Sequence, residues 1–218
     1  MDKLVNHPYA PSELTIPNYV PNEKSTSELL LIASSIMTMI VGLLYVIFRC
    51  SSISKNTTTS TLKFIWFATC GLMHCGFEGY WLRNRTTIAG QNDILAQLWK
   101  EYAHGDSRYL TNDELLLTLE IMTIFIWGPL CLVSAYYILR NSPKQYIFQL
   151  IASLCHLFSC SLYFIMDLPE AKHCVSSPVY FYIYFLGLNS PWLLVPSSLV
   201  NQSYRYLSHA IRVKSKLK

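Results

Sequence analysis

The sequence predicts an all-α, polytopic membrane protein: a five-transmembrane-helix bundle enclosing an intramembrane ligand cavity. Three observations carry that expectation. Of the 218 residues, 52% are hydrophobic and only 14% charged, well below the roughly 25% charge typical of soluble domains. Five stretches approach the roughly 20 apolar residues that cross a bilayer core as a helix. Inside those stretches sit three ionisable side chains, His74, Glu78 and Glu120. Placing such a group at the centre of a spanning helix costs about 2.5–3.5 kcal/mol on insertion scales, so each must face the bundle interior and find a use or a partner there.

The elements follow in chain order. Residues 1–28 form a polar N-terminal segment bearing Pro8, Pro11, Pro17 and Pro21. It has no apolar core of a cleavable signal, so the first span is expected to serve as its own insertion signal. That span, near 29–48, has no charged residue, and Ser25, Thr26 and Ser27 offer N-cap oxygens ahead of it. The second, near 65–82, carries His74 and Glu78. The third, near 115–139, carries Glu120 and Pro129, and the fourth, near 146–166, carries Gln149 and His156. The fifth, near 179–200, carries Asn189, Pro191 and Pro196. Proline inside a span removes backbone hydrogen bonds that packed neighbours must replace. The last helix is therefore expected to kink or unwind beside Trp192. A basic tail, 205–218, ends the chain.

The loop 83–113 is the only long connection. It holds Trp99-Lys100-Glu101-Tyr102 and Gly105-Asp106-Ser107-Arg108-Tyr109. Two readings stand: a functional lid, or an interfacial segment with Trp and Tyr at headgroup depth.

Five spans put the termini on opposite sides. With the C-terminus cytosolic, that side holds Arg49, Lys55, Lys63, Arg140, Lys144, Arg205, Arg212, Lys214, Lys216 and Lys218, the majority of the 17 Lys and Arg. This favours an outer N-terminus and an inner C-terminus. The ending Lys214-Ser215-Lys216-Leu217-Lys218 resembles a dilysine retrieval signal of the endoplasmic reticulum, which is read in the cytosol. Two glycosylation sequons bear on the same question: Asn84-Arg85-Thr86 on the outer side and Asn56-Thr57-Thr58 on the inner. The net charge of +4, without a dense basic patch among aromatics, argues against nucleic-acid binding. The seven cysteines form no Cys-x-x-Cys pair, and read as small buried apolar groups rather than as disulfides or metal ligands.

Helix neighbours three or four apart share a face. His74 and Glu78, Glu120 and Thr123, and Asn189 and Trp192 are such pairs on three different spans. Each pair has a structural reading: a satisfied ion pair, a hydroxyl on its own backbone carbonyl, an amide joining two helices. Together they can converge on one cavity. Desolvation favours the neutral form of a carboxyl, so two glutamates in different surroundings can supply an acid and a base. The π face of Trp192 can stabilise a cation. An acid, a base and an aromatic cation stabiliser in an apolar cavity suit an alkene isomerisation through a carbocation.

These residues resemble the emopamil-binding protein family, the sterol Δ8–Δ7 isomerases with an EXPERA-type membrane domain. The resemblance runs through His74-x-x-x-Glu78-Gly79-Tyr80, Leu98-Trp99-Lys100-Glu101-Tyr102, Gly105-Asp106-Ser107-Arg108-Tyr109, Glu120-x-x-Thr123-x-x-x-Trp127-Gly128-Pro129 and Asn189-x-x-Trp192. His7-Pro8-Tyr9, Asn18-Tyr19-Val20-Pro21-Asn22 and Leu162-Tyr163-Phe164 extend it. It implies a membrane isomerase domain over 29–204, its EXPERA-like region at about 60–204. The catalytic positions would be His74, Glu78, Glu120, Thr123, Asn189 and Trp192, and the substrate-binding ones Trp99, Tyr102 and Trp127. The chain departs from the family at His156, where glutamine is expected, at Phe158-Ser159-Cys160, and at Pro191. These departures touch pocket shape and leave the acid–base set intact.

The implied activity moves the C8–C9 double bond of a Δ8-sterol to C7–C8 in the endoplasmic reticulum membrane, with the N-terminus lumenal. No metal or organic cofactor is expected, because the reaction has no net redox change. Cationic amphiphilic amines would mimic the carbocation and inhibit. Membrane lipid is the medium, and a homodimer through the charge-free first span is a further expectation. The competing reading is a non-catalytic sterol- or amine-binding protein of the same superfamily.

Overall fold

The computed structural model describes residues 7–51, 57–111, 113–168 and 170–216. The sequon residue Asn56, and Lys55, Leu217 and Lys218 of the charge argument, lie outside them. Within them the protein is all-helical. Helix α1 (Thr26–Cys50) starts on a capping box: Ser25 Oγ accepts from Glu28 N–H while Glu28 accepts from Ser25 N–H. Helix α2 (Thr58–Leu72) continues through a π turn, Met73–Glu78, into α3 (Gly79–Asn84). After the short α4 (Ile94–Tyr102) come α5 (Glu114–Met122), a π turn at Thr123–Trp127 and α6 (Gly128–Leu139). Helix α7 is Gln145–Asp167. A third π turn, Tyr180–Gly187, precedes α8 (Pro191–Ser215).

Four of these helical stretches are long and apolar enough to cross a membrane: Thr26–Cys50, Glu114–Leu139, Gln145–Asp167 and Tyr180–Ser215. The stretch 58–84, expected as a span, is not among the four. Lys63, His74, Glu78 and Arg83 lower its apolar character. It nevertheless packs along α6. The helix expected to stop near residue 200 runs on to Ser215, because no Gly or Pro interrupts 197–215.

Two apolar clusters hold the bundle. At one end Phe48, Phe64, Phe67, Cys131, Ile138 and Leu199 pack together. There Gln149 Nε2 donates to Leu199 O and to Ser203 Oγ, and ties α7 to α8. At the other end Trp81, Trp99, Tyr109, Leu116 and Phe185 form the second cluster. That end is closed by a cap made of loop 85–113 and the N-terminal segment. Lys100, fully buried, donates to Val20 O (2.7 Å) and Asn92 Oδ1 (2.6 Å). Tyr9 hydroxyl donates to Lys100 O and Ser107 Oγ to Ala10 O. Arg108 grips Asp106 with two N–H groups, at 2.9 and 2.7 Å, in a buried pair. The long loop is thus a packed lid over the bundle end, not a segment lying free at the interface.

Candidate active site

His74, Glu78, Glu120, Thr123, Trp127, Asn189 and Trp192 lie on or next to three helical stretches that depart from α geometry, while Trp99 and Tyr102 come from the regular α4 in the cap. π turns recur at functional sites because the extra residue re-aims side chains. Here each has a local cause. Pro129 cannot donate to Phe125 O and its ring crowds that carbonyl, so the Thr123–Trp127 backbone widens. Pro191 likewise cannot donate to Gly187 O, and Ser190 Oγ donates to that carbonyl instead, at 3.2 Å. The helix turns over at 188–190, beside Trp192 as expected. At Met73–Glu78, Gly76 within the turn and Gly79 directly after it weaken the preference for a regular helix.

Close approach of two of these turns depends on Gly128. A Cβ there would stand 2.6 Å from Cys75 Sγ and 3.1 Å from His74 Cβ. Without it, the π turn carrying His74 and Glu78 lies directly against the one carrying Thr123 and Trp127.

His74 is buried, and its Nδ1 lies 2.8 and 2.9 Å from the two oxygens of Glu78. Its Nε2 shares a hydrogen bond with His156 Nε2 at 3.1 Å. Glu120, also buried, accepts a 2.7 Å hydrogen bond from the Tyr109 hydroxyl on Oε1. Its other oxygen, Oε2, has no hydrogen-bond partner among the described residues, and its carboxyl lies close enough to Glu78 for the two charges to interact. The Trp192 ring centre is 6.3 Å from that of His74 and 5.7 Å from that of Trp66. The structure thus brings His74, Glu78, Glu120 and Trp192 together.

Asn189 joins them through the cap. Its Nδ2 donates to Phe185 O (2.8 Å), and its amide pairs with the Tyr102 hydroxyl. The Tyr102 ring packs on that of Tyr109, 5.3 Å between centres. Trp99 stacks on Phe77 at 4.5 Å, donates to Phe77 O and packs on Tyr109. Thr123 does not reach a carboxylate: its hydroxyl donates to Leu119 O at 2.9 Å. Trp127 is buried with its indole N–H unpartnered among the described residues.

Two neighbours were not assigned to the site from sequence. Tyr109, which binds Glu120, stands in a quoted loop motif, but nothing in that motif says which span it meets. His156, named above for its difference from the resembled family, is buried against His74. Outside the spans, desolvation lowers Lys100 to about 8. Burial likewise raises Tyr102, with lesser contributions from Asp106 and Glu120. Both effects mark the cap as dry.

Buried polar atoms without a protein partner collect on these helices: Glu120 Oε2, Tyr163 hydroxyl, His156 Nδ1 and the indole N–H groups of Trp66, Trp127 and Trp192. Native interiors leave few such atoms. Their concentration here suits a place where a bound molecule or water completes them.

The family model EXPERA (EXPanded EBP superfamily) matches residues 94–203. A 3-beta-hydroxysteroid-Delta(8),Delta(7)-isomerase of Mus musculus is 34% identical, over 94% of this chain and 90% of its own. A probable 3-beta-hydroxysteroid-Delta(8),Delta(7)-isomerase of Arabidopsis thaliana is 31% identical over 98% and 94%. A protoglabretal synthase of Ailanthus altissima is 30% identical over 99% and 98%. With this similarity running nearly end to end, the chain belongs to the EXPERA family.

Proposed function

We infer that the protein is a 3-beta-hydroxysteroid Δ8,Δ7-isomerase, moving the C8–C9 double bond of a sterol to C7–C8. The observation that carries the reading is two carboxyl groups, one buried and one partly buried, with Trp192 packed near the histidine that holds the second. One, Glu120, has an oxygen with no hydrogen-bond partner among the described residues. The other, Glu78, is held on both oxygens by His74. Sterol-isomerase relatives in animals and plants, similar along nearly the whole chain, support it.

In the proposed mechanism the sterol rings lie within the bundle, the 3-hydroxyl toward a polar end. Glu120, anchored by Tyr109, gives a proton from Oε2 to C9 of the alkene. The positive charge left at C8 faces the indole of Trp192 and the Glu78 carboxylate, which stabilise it in a dry site. Glu78, backed by His74, then takes the proton from C7, and the electron pair of that bond closes the C7–C8 alkene. Glu78 then gives that proton up to water, and Glu120 takes one from water before the next turnover. Asn189 and Thr123 shape the backbone around the site, and Trp99, Tyr102 and Trp127 bound the sterol.

The stretch 58–84 acts as a fifth span, whose polar groups face the sterol cavity. The isomerase domain covers 29–204. The membrane is that of the endoplasmic reticulum, with the capped end and N-terminus lumenal; the Lys/Arg distribution supports this orientation. The Asn84 amide donates to Tyr80 O at 2.9 Å and is half-buried, so this sequon is a poor acceptor. Cationic amphiphilic amines inhibit by occupying the place of the C8 cation. The exposed face of α1, with Leu31, Met39 and Leu43 outward, is available to lipid or to a second copy.

The test is sterol analysis in a yeast strain lacking its own Δ8–Δ7 isomerase, expressing this chain or Glu120→Gln. The wild type converts accumulated Δ8-sterols to Δ7-sterols, and the variant loses at least about 100-fold, the usual scale of a general acid. Equal activity of both would remove Glu120 from the chemistry. A folded wild type that binds an amine without converting sterol would establish the non-catalytic reading instead.

A further inference from the structure

Cys70 and His74 lie one helical turn apart, at the end of α2 and the start of its π turn, and His156 meets them from α7. The thiol sulphur and the two imidazoles present ligand atoms within 4.8 Å of one another, and all three residues are buried. The two Nε2 atoms are 3.1 Å apart, and Cys131 Sγ, from α6, is 3.4 Å from His156 Nε2. A tetrahedral zinc ion, with Zn–N about 2.0 Å and Zn–S about 2.3 Å, spaces its ligands about 3.3 Å (N···N) and about 3.6 Å (N···S) apart. The His74–His156 and His156–Cys131 separations lie within a few tenths of an ångström of that spacing, and the Cys70 sulphur, within 4.8 Å of both imidazoles, would draw in to complete the set. Glu78 holds His74 by Nδ1, on the far side of the ring. That contact fixes the proton on Nδ1 and turns the Nε2 lone pair inward, the carboxylate–histidine–metal arrangement of zinc sites.

We propose that Cys70, His74, His156 and Cys131 form a buried thiolate–imidazole site for Zn2+, and that an ion bound there withdraws His74 from Glu78's proton path and switches the isomerase off. Two imidazoles and two sulphurs, with no oxygen donor, select zinc over magnesium or calcium. Two thiolates neutralise the ion's double charge, as an apolar interior demands of any buried charge. Their two protons leave to water as the metal enters. Neither Cys70 nor Cys131 has a part in the isomerisation. The metal site stands on geometry alone; only its inhibitory effect rests on the isomerase reading.

The experiment is metal analysis of the full chain, expressed in zinc-supplemented medium and purified in detergent, beside Cys70→Ser, His156→Gln and Cys75→Ser. Cys75 is an exposed cysteine outside the ligand set and serves as the control. Wild type and Cys75→Ser should carry about one zinc per chain, and the other two variants less than about a tenth of that. Cobalt-loaded wild type should show a thiolate-to-cobalt charge-transfer band, a readout that needs no variant to fold. Zinc should lower wild-type turnover at least about tenfold, reversibly with a chelator, and leave His156→Gln and Cys70→Ser unaffected. Wild-type zinc no higher than in those variants, or cobalt without a thiolate band, would overturn the site and leave the two histidines as a hydrogen-bonded pair. Stoichiometric zinc without loss of turnover would overturn the switch. Stoichiometric zinc in a chain that never isomerises sterol would uphold the site while the isomerase reading fails.

Discussion

Glu120 divides its carboxyl between a fixed partner and an open side: Oε1 takes the Tyr109 hydroxyl at 2.7 Å while Oε2 has no protein partner. That division gives one side chain both a defined orientation and an atom free to react. Tyr109→Phe removes the anchor with almost no change in volume. A hydrogen bond to a charged or reacting carboxyl contributes about 1.5–3 kcal/mol, so turnover should fall roughly 10- to 100-fold. Steady-state kinetics on the purified variant would show a lower kcat with KM little changed. A proportionate rise in KM instead would assign Tyr109 to substrate binding. At this scale the sequence was partly legible. His74 and Glu78 meet because they are four apart on one helix, which spacing alone reveals. Tyr109 and His156 reach the site from a loop and from another helix, and no periodicity encodes which elements will face each other.

The helices that carry the site share a device, a π turn next to a proline or between glycines. Pro129 and Pro191 advertised irregular backbone, and the break beside Trp192 was readable from them. The π turn at Met73–Glu78 was not, because isolated glycines are common in spanning helices. Nor did the sequence reveal why Gly128 is small; its role lies in contact with Cys75 and His74 from another helix. Gly128→Val would push the two π turns apart and tilt His74 away from Glu78. Overpacking of this kind costs about 1–3 kcal/mol, so thermal unfolding should drop by several degrees. Isomerase turnover should fall further than that loss explains. A variant with wild-type turnover would mean that the contact between the turns does not position the site. The polar side chains of 58–84 also explain why it stands apart from the four strongly apolar stretches: the groups proposed to make it functional lower its apolar character.

Across the whole molecule, the bundle is sealed at one end by a cap in which a buried lysine is central. Lys100 gives N–H groups to Val20 O and Asn92 Oδ1, so Lys100→Met strands two buried acceptors. The cost is about 1–3 kcal/mol, seen as a lower melting temperature. Its pH dependence has a definite sign. Burial lowers Lys100 from 10.5 to about 8, so between those values the unfolded chain holds the extra proton and stability rises with pH. The neutral amine still has two N–H groups for its two acceptors. The gap in melting temperature between wild type and Lys100→Met should therefore widen from pH 8 to pH 10, and a constant gap would contradict a desolvated lysine. The composition announced a membrane protein, while the loop's length left a lid and an interfacial segment equally open. That the polar N-terminal segment would fold back under that lid was not visible, because its contacts with Lys100 and Ser107 are long-range hydrogen bonds between side chains and backbone carbonyls.

The central claim is proton delivery to one face of an alkene and removal at the next carbon, and one measurement meets it directly. Purified protein in lipid nanodiscs is given a Δ8-sterol in deuterium oxide, and the product is analysed by mass spectrometry and NMR. The account predicts a Δ7-sterol carrying one solvent deuterium at C9, absent when Glu120→Gln replaces the wild type. A Δ7 product without deuterium at C9, or no product from folded protein, would contradict it.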